Sequence, residues 1–289
     1  MKKIARLAFL GLTGLAACSS STGSGDADGQ GTVAFTTFGE DFIMQELPAA
    51  DVEDGFTIKY DKFLVVLADI TVQDGASGPI AAKMNEQKIF DMHTAGERPV
   101  ITFPNIPGKP YTHVSYRIGP ATAAATLGAN TTDADKTIMT TNGYSIYVEG
   151  TVSKDAVSKK FKWGFKLNTL YDRCEGEIAG KKTEGVVVTN GGTDTVQLTI
   201  HGDHLWYDDL QAAEAKVRGQ NIVAADKNND GEVTLDELAA VKLIDIPQGQ
   251  GTYGTGSAAG INDLRAFVEA LSRTVGHYRG EGECFASAK

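Results

Sequence analysis

The chain has 289 residues, 42% of them hydrophobic and 22% charged, and a formal net charge of −10 at pH 7. That composition is ordinary for a globular protein. The acidic balance disfavours nucleic acid and anionic lipid as partners, and past the N-terminal segment no apolar run is long enough to cross a bilayer.

Lys2, Lys3 and Arg6 precede a short apolar stretch, Leu7 to Leu15, interrupted by Gly11 and Gly14. These are the positive and apolar regions of an export signal, too short to act as a stop-transfer helix. Leu15-Ala16-Ala17-Cys18 resembles a bacterial lipobox. The resemblance implies that residues 1–17 are a lipoprotein signal peptide and that Cys18 becomes a lipidated (palmitate-bearing) N-terminus. Ser19 in place of aspartate resembles the outer-membrane default, so a cell-envelope protein attached through the Cys18 lipid is expected, with the outer membrane favoured. Residues 18–31, rich in Ser, Gly and Asp, read as a flexible tether.

Residues 32–207 carry a β pattern. Val33, Phe35 and Phe38 lie in a short extended run, and Phe56–Tyr60 alternates with period two. Phe63–Val72 is half continuous and half alternating, as in a core strand. Val100–Phe103 leads to Pro104 and the Pro107-Gly108 turn signal, and Tyr111–Ile118 alternates again. Tyr144–Gly150 and Lys160–Leu167 resemble two strands around a polar connection. Val186–Val188 and Val196–Ile200 flank Asn190-Gly191-Gly192, a sequence suited to a tight hairpin turn. The expected fold is mainly β with C-terminal α: an antiparallel β-sandwich followed by a helical extension over residues 208–289. In that extension Asp208–Ala225 and Leu235–Leu243 are expected helices. A third begins after Asn262, with Leu264, Phe267, Val268, Leu271 and Val275 along a buried face.

The extension contains the most specific motif, Asp226-Lys227-Asn228-Asn229-Asp230-Gly231-Glu232-Val233-Thr234-Leu235-Asp236-Glu237. It has the spacing of an EF-hand loop. Asp226, Asn228 and Asp230 fall at positions 1, 3 and 5, Gly231 at the sharp turn, the Glu232 carbonyl at 7, Thr234 at 9 and Glu237 at 12. A hard cation preferring six to eight oxygens needs this alternation, so calcium is the expected ligand. Asp226, Asp230 and Glu237 are expected to repel one another until the ion enters. EF-hands normally pair, but Asp69–Asp74 and Asp203–Asp209 lack the glycine and the final glutamate, so a lone hand packed on the sandwich is expected.

If Cys18 carries lipid, Cys174 and Cys284 remain, and in an oxidising compartment two such cysteines form a disulfide. His201-Gly202-Asp203-His204 ends a strand. Imidazole and carboxylate together suit zinc or copper, but residues three apart on a strand face opposite ways unless the chain turns at Gly202. His113 and His277 are possible distant partners. The alternative is a polar strand end with satisfied histidines. Trp206-Tyr207-Asp208-Asp209 either lines a carbohydrate cleft or marks a domain junction. No nucleotide loop, nucleophile elbow or metalloprotease helix is present.

Phe56–Val72, Val100–Phe103, Pro107–Tyr111, Tyr116–Gly119 and Trp163–Leu167 together resemble exported β-sandwich proteins of the methanobactin-associated copper-binding family. The resemblance implies an exported sandwich and favours a metal role for the histidines, with no copper ligand carried over. The expectation is a calcium-binding, membrane-anchored lipoprotein with a structural or binding role rather than a catalytic one. The alternatives are a zinc- or copper-handling protein using His201, Asp203 and His204, and an envelope polysaccharide-binding module using Trp206.

Overall fold

The computed structural model describes residues 29–289; the expected signal peptide, Cys18 and nearly all of the expected tether lie outside the described residues. In chain order the strands are Gln30–Gly39 (β1), Thr57–Gln73 (β2), Ile80–Lys83 (β3), Gln87–Asp91 (β4), Arg98–Pro107 (β5), Pro110–Tyr111 (β6), His113–Ile118 (β7), Thr126–Leu127 (β8), Ile146–Lys154 (β9), Val157–Phe165 (β10), Thr169–Ile178 (β11), Lys181–Glu184 (β12), Val186–Val187 (β13), Thr193–Ile200 (β14), Glu232–Val233 (β15), Gly276–Tyr278 (β16) and Glu283–Ala288 (β17). The α-helices are Asp41–Met44 (α1), Asp133–Asn142 (α2), Gln220–Val223 (α3), Leu235–Ala240 (α4) and Leu264–Leu271 (α5). The chain is mainly β.

A four-stranded sheet runs β16-β14-β1-β5, and a larger one runs β12-β11-β7-β2-β9-β10-β15 with β3, β4, β8 and β17 at its margins. One apolar core joins them: Val33, Phe35 and Leu198 from the first sheet meet Phe63, Val148 and Trp163 from the second. Alternation along β1 sends Val33, Phe35 and Thr37 inward. β2 is buried on both faces, which explains its half-continuous pattern. Phe63, Val65 and Leu67 enter the main core, while Leu64 and Val66 join Ile89 and Met139 in a second cluster beneath α2.

Several expectations need correction. The sheets are mixed rather than antiparallel, because β1–β14, β10–β15 and β4–β8 are parallel pairs. The Asn190-Gly191-Gly192 turn forms, with Gly191 at φ 69°, but its flanking strands do not pair with each other. β13 joins β6, and β14 joins β1. The turn is tied instead to the start of β1, through Gly191 N–H to the Gln30 carbonyl and Thr32 N–H to the Gly192 carbonyl. That anchorage directs the following strand along β1 in the same direction.

The extension over residues 208–289 is helical only in part. Asp208–Ala225 holds a single turn, α3, because the Asp208 carboxylate takes the Lys216 N–H and the Arg218 guanidinium and closes the preceding residues into a loop. α5 has the expected buried stripe of Leu264, Phe267, Val268 and Leu271. Its cap is Asp263, which accepts the Ala266 N–H, rather than Asn262. After α5 the chain returns to the sheets as β16 against β14 and β17 against β11. α2 and β11 were not anticipated from the sequence. α2 has a reciprocal Thr132–Asp135 capping box and ends on Gly143 at φ 64°. Both are legible start and stop signals.

Cys174 and Cys284 form a disulfide across β11 and β17, closing a loop of 110 residues. Cross-linking so long a loop raises stability by about 2–4 kcal/mol through the unfolded state. The double variant Cys174→Ser/Cys284→Ser should lose about that much in denaturant unfolding. An unchanged midpoint would show that β17 stays docked without the bond.

Candidate functional site

Two candidate sites can be placed, and among the described residues only the first brings ligand atoms of three or more His, Cys, Asp or Glu side chains within 4.8 Å of one another. The first lies where three neighbouring strands end. β1 and β14 are parallel with Gly39 opposite Ile200, so the next residues, Glu40 and His201, emerge side by side. β16 runs antiparallel on the other side of β14, with His277 opposite Thr199. The His201 N–H donates to the Val275 carbonyl at 2.9 Å. The chain then turns at Gly202 (φ −84°, ψ −27°) into a 3-10 helix, Asp203–Trp206. Glycine is required there, because a Cβ would sit 2.6 Å from Ile43 and 2.9 Å from the Tyr60 ring. This turn carries His204 back toward His201.

The three imidazoles of His201, His204 and His277 present nitrogens within 4.8 Å of one another, as do the ligand atoms of Glu40, His201 and Asp203. His201 stacks on His277 with ring centroids 4.0 Å apart, and His204 meets His277 edge-on at 4.9 Å. His204 Nδ1 lies 2.8 Å from Thr274 Oγ1. His201 Nδ1 faces Glu40 Oε2 at 3.4 Å. The other Glu40 oxygen accepts the Gly202 N–H at 2.7 Å, and Asp203 Oδ2 accepts from the Tyr207 hydroxyl at 2.6 Å. His201 Nε2, His277 Nδ1 and Asp203 Oδ1 are buried with no hydrogen-bond partner in the protein. Three such atoms in one place mark this as a candidate polar site.

Burial sets the protonation of the cluster. Burial, reinforced by the Asp203 charge, pushes the Glu40 carboxyl up to about 9. Burial draws His204 down to about 4, with further depression from His277 and His201, and draws His277 down as well. Both rings are neutral at pH 7 and offer lone pairs, as ligation requires.

The second group is the loop 226–237. Gly231 (φ 89°) and Asn229 (φ 58°) make its sharp turn. Its two-residue strand β15 does not meet a second loop but extends the large sheet, with Lys160 opposite Glu232 and Phe161 opposite Val233. Trp163 Nε1 donates to the Val233 carbonyl at 2.8 Å. Thr234 caps α4 and Glu237 Oε2 reaches back to its N–H at 2.9 Å, so positions 9 and 12 are locked together. Asp230 Oδ1 accepts the Glu232 N–H and Asn228 Oδ1 the Asp230 N–H. Asp226 Oδ2 accepts from Gly231 N–H at 3.1 Å and from Lys159 Nζ at 2.6 Å. These hydrogen bonds, the Lys159 one foremost, hold the Asp226 carboxyl below its usual range. Asp226 Oδ1 and Glu237 Oε1 are buried without partners. Of the seven such side-chain atoms among the described residues, five belong to these two groups.

His201 and His204, read together from the sequence, do converge, and His277 joins them. His113 does not; it pairs with Asp172 at 2.8 Å elsewhere. Glu40 was missed, since nothing in its local sequence signals a site. Trp206 is closed to solvent, packs on Phe161 and Trp163, and donates to the Tyr60 hydroxyl at 2.8 Å. It has no face open to a sugar, which removes the carbohydrate reading of that residue. Among the described residues no helix is long and apolar enough to cross a membrane.

No family model matches the chain and no curated protein does. Among solved structures, MbnP from Methylosinus trichosporium is similar over 61% of this chain and 76% of that one, at 13% identity and a TM-score of 0.31. A likeness of that size carries no functional argument, and the chemistry rests on the residues above.

The pH dependence of stability follows from the two large shifts. The folded state favours neutral His204, so its contribution is complete above pH 6.5 and drains away as pH falls through about 4. The folded state favours protonated Glu40, so that contribution is complete below pH 4.5 and is lost as pH rises through about 9. Melting temperatures of His204→Gln should therefore fall less than wild type on acidification. Those of Glu40→Gln should fall less between pH 5 and 9. Parallel curves for wild type and variant would contradict the burial argument.

Proposed function

We propose that this is an exported metal-binding protein of the cell envelope, a β-sandwich body tethered through a lipid on Cys18, that holds zinc or copper at His201, His204 and His277. The observation that carries the reading is the convergence of three imidazoles, of which His201 and His277 are buried with unpartnered nitrogens and His204 is half-buried. Neutral nitrogen ligands suit borderline ions such as zinc and copper better than calcium or magnesium. Thr274 on His204 Nδ1 and Glu40 beside His201 Nδ1 supply the outer hydrogen-bonding groups that orient ligating rings. Asp203, grouped with Glu40 and His201, offers a further unpartnered oxygen, Oδ1. The role is binding rather than catalysis.

A second ion, calcium, belongs to the loop of Asp226, Asn228, Asp230, Glu232, Thr234 and Glu237, as an EF-hand whose partner is the sheet edge β10. What favours this reading is that Asp226 Oδ1 and Glu237 Oε1, at the first and last ligand positions, both lack partners. The loop lies between α3 and α4, and α4 packs on α5. Filling it stabilises that corner of the fold. The chain's acidity keeps nucleic acid from being a partner, and the membrane contact is the lipid.

Mature protein loaded with zinc or cuprous ion and desalted should retain one equivalent by elemental analysis. His201→Ala/His277→Ala should retain background amounts, while His113→Ala keeps the ion. Equal retention in all three would end the histidine reading. Calcium at a hundredfold excess over Kd should add about 2.7 kcal/mol, roughly 5–10 °C in Tm for a chain of this size. Glu237→Gln should abolish that rise, and a rise left intact would show that calcium acts elsewhere.

A further inference from the structure

The loop 226–237 does not rest on its own carboxylates alone. Lys159 Nζ reaches Asp226 from β10 at 2.6 Å, and the Asp226 side chain is wholly closed to solvent. Two features make this contact a built one. Lys159 itself is only 18% exposed. The residue after it is fixed to the loop, since the Lys160 N–H donates to the Gly231 carbonyl at 2.8 Å and the β10–β15 pairing begins there. The backbone that docks the loop therefore also sets the ammonium against its first ligand.

We propose that Lys159 is a resident counter-ion of the loop that holds it closed in the absence of calcium and weakens calcium binding by competing for Asp226. The inference rests on the calcium reading of the loop and adds what sets its affinity. An ammonium on Oδ2 neutralises Asp226, the loop's buried aspartate. With the ammonium in place, this end of the loop is a formed, neutralised turn instead of a set of carboxylates pushing apart. A divalent ion taken by Asp226 Oδ1 must share the carboxylate with a fixed positive charge or displace it. Both routes cost binding energy that an EF-hand with no such lysine keeps. The site is accordingly matched to the high calcium of an extracytoplasmic compartment, where affinities in the micromolar to millimolar range suffice. Calcium loading then trades one cation for another at a fixed turn, so it shifts stability without folding the loop from disorder.

Isothermal titration of calcium into the mature wild-type protein, Lys159→Met and Lys159→Arg tests this. Lys159→Met should bind at least about tenfold more tightly, equivalent to about 1.4 kcal/mol. It should also melt lower than wild type in chelator, because Asp226 is left buried and unpaired, and recover in calcium. Lys159→Arg, which keeps the charge, should stay as weak as wild type. Calcium uptake by wild type with equal or weaker uptake by Lys159→Met would overturn the role of Lys159 and leave the site standing. No uptake by any of the three would remove the calcium site itself. The ammonium nitrogen resonance of Lys159 in the wild type gives a readout that needs no variant. It should shift on saturation with calcium, and a signal unmoved at saturation would refute the competition.

Discussion

The parallel pairing of β1 with β14 is the contact on which the histidine site depends. Its register sets Gly39 against Ile200, and every later relationship follows from that alignment. Glu40 and His201 leave the sheet as neighbours, and the Glu40 carboxyl takes the Gly202 N–H. With that N–H satisfied and no Cβ at Gly202, the chain turns tightly enough to bring His204 beside His201. A parallel pair needs a long crossover between its strands. Here the crossover is most of the large sheet, so the site is assembled from residues on either side of that sheet's sequence.

The same logic links the two candidate ions. β10 lends its free edge to β15, its Trp163 indole to the Val233 carbonyl, and its Lys159 to Asp226. Trp163 packs on Trp206, whose Nε1 donates to Tyr60, and the Tyr60 hydroxyl donates to the Gly202 carbonyl at 2.6 Å. The aromatic core is therefore continuous between the loop and the turn that carries His201 and His204. Polar tips of three buried aromatics are each matched, as burial of such groups requires. The unpartnered atoms are concentrated at the two sites, and the contrast is what makes them candidates for ligands.

The tail completes the arrangement. α5 delivers Thr274 and His277 to the cluster, and the chain is then locked by β17 and the Cys174–Cys284 disulfide. The disulfide's loop encloses α3 to α5 and β16. One covalent bond thereby restrains both the loop 226–237 and the strand bearing His277.

Much of this was readable from the chain alone. Period-two alternation located β7 and much of β2, because half-buried strands impose that pattern on side chains, and short extended apolar runs located β1, β9, β10 and β14. The loop 226–237 was legible because its ligands are consecutive and their spacing is fixed by local backbone geometry. The leftover cysteines gave the disulfide by elimination. Helix α2 also carries its signals locally, in Thr132, Asp135 and Gly143. The helix expected over Asp208–Ala225 gave way to a loop closed by Asp208 and its partners. By itself the sequence determined what is local: strand periodicity, caps and the acidic loop. Only the tertiary structure decided the parallel partner of β14, the place of Glu40 and His277 in one cluster with His201, and the lysine against Asp226. Those residues lie tens to hundreds of positions apart, and no local pattern encodes which strand edges meet; burial of the shared core does.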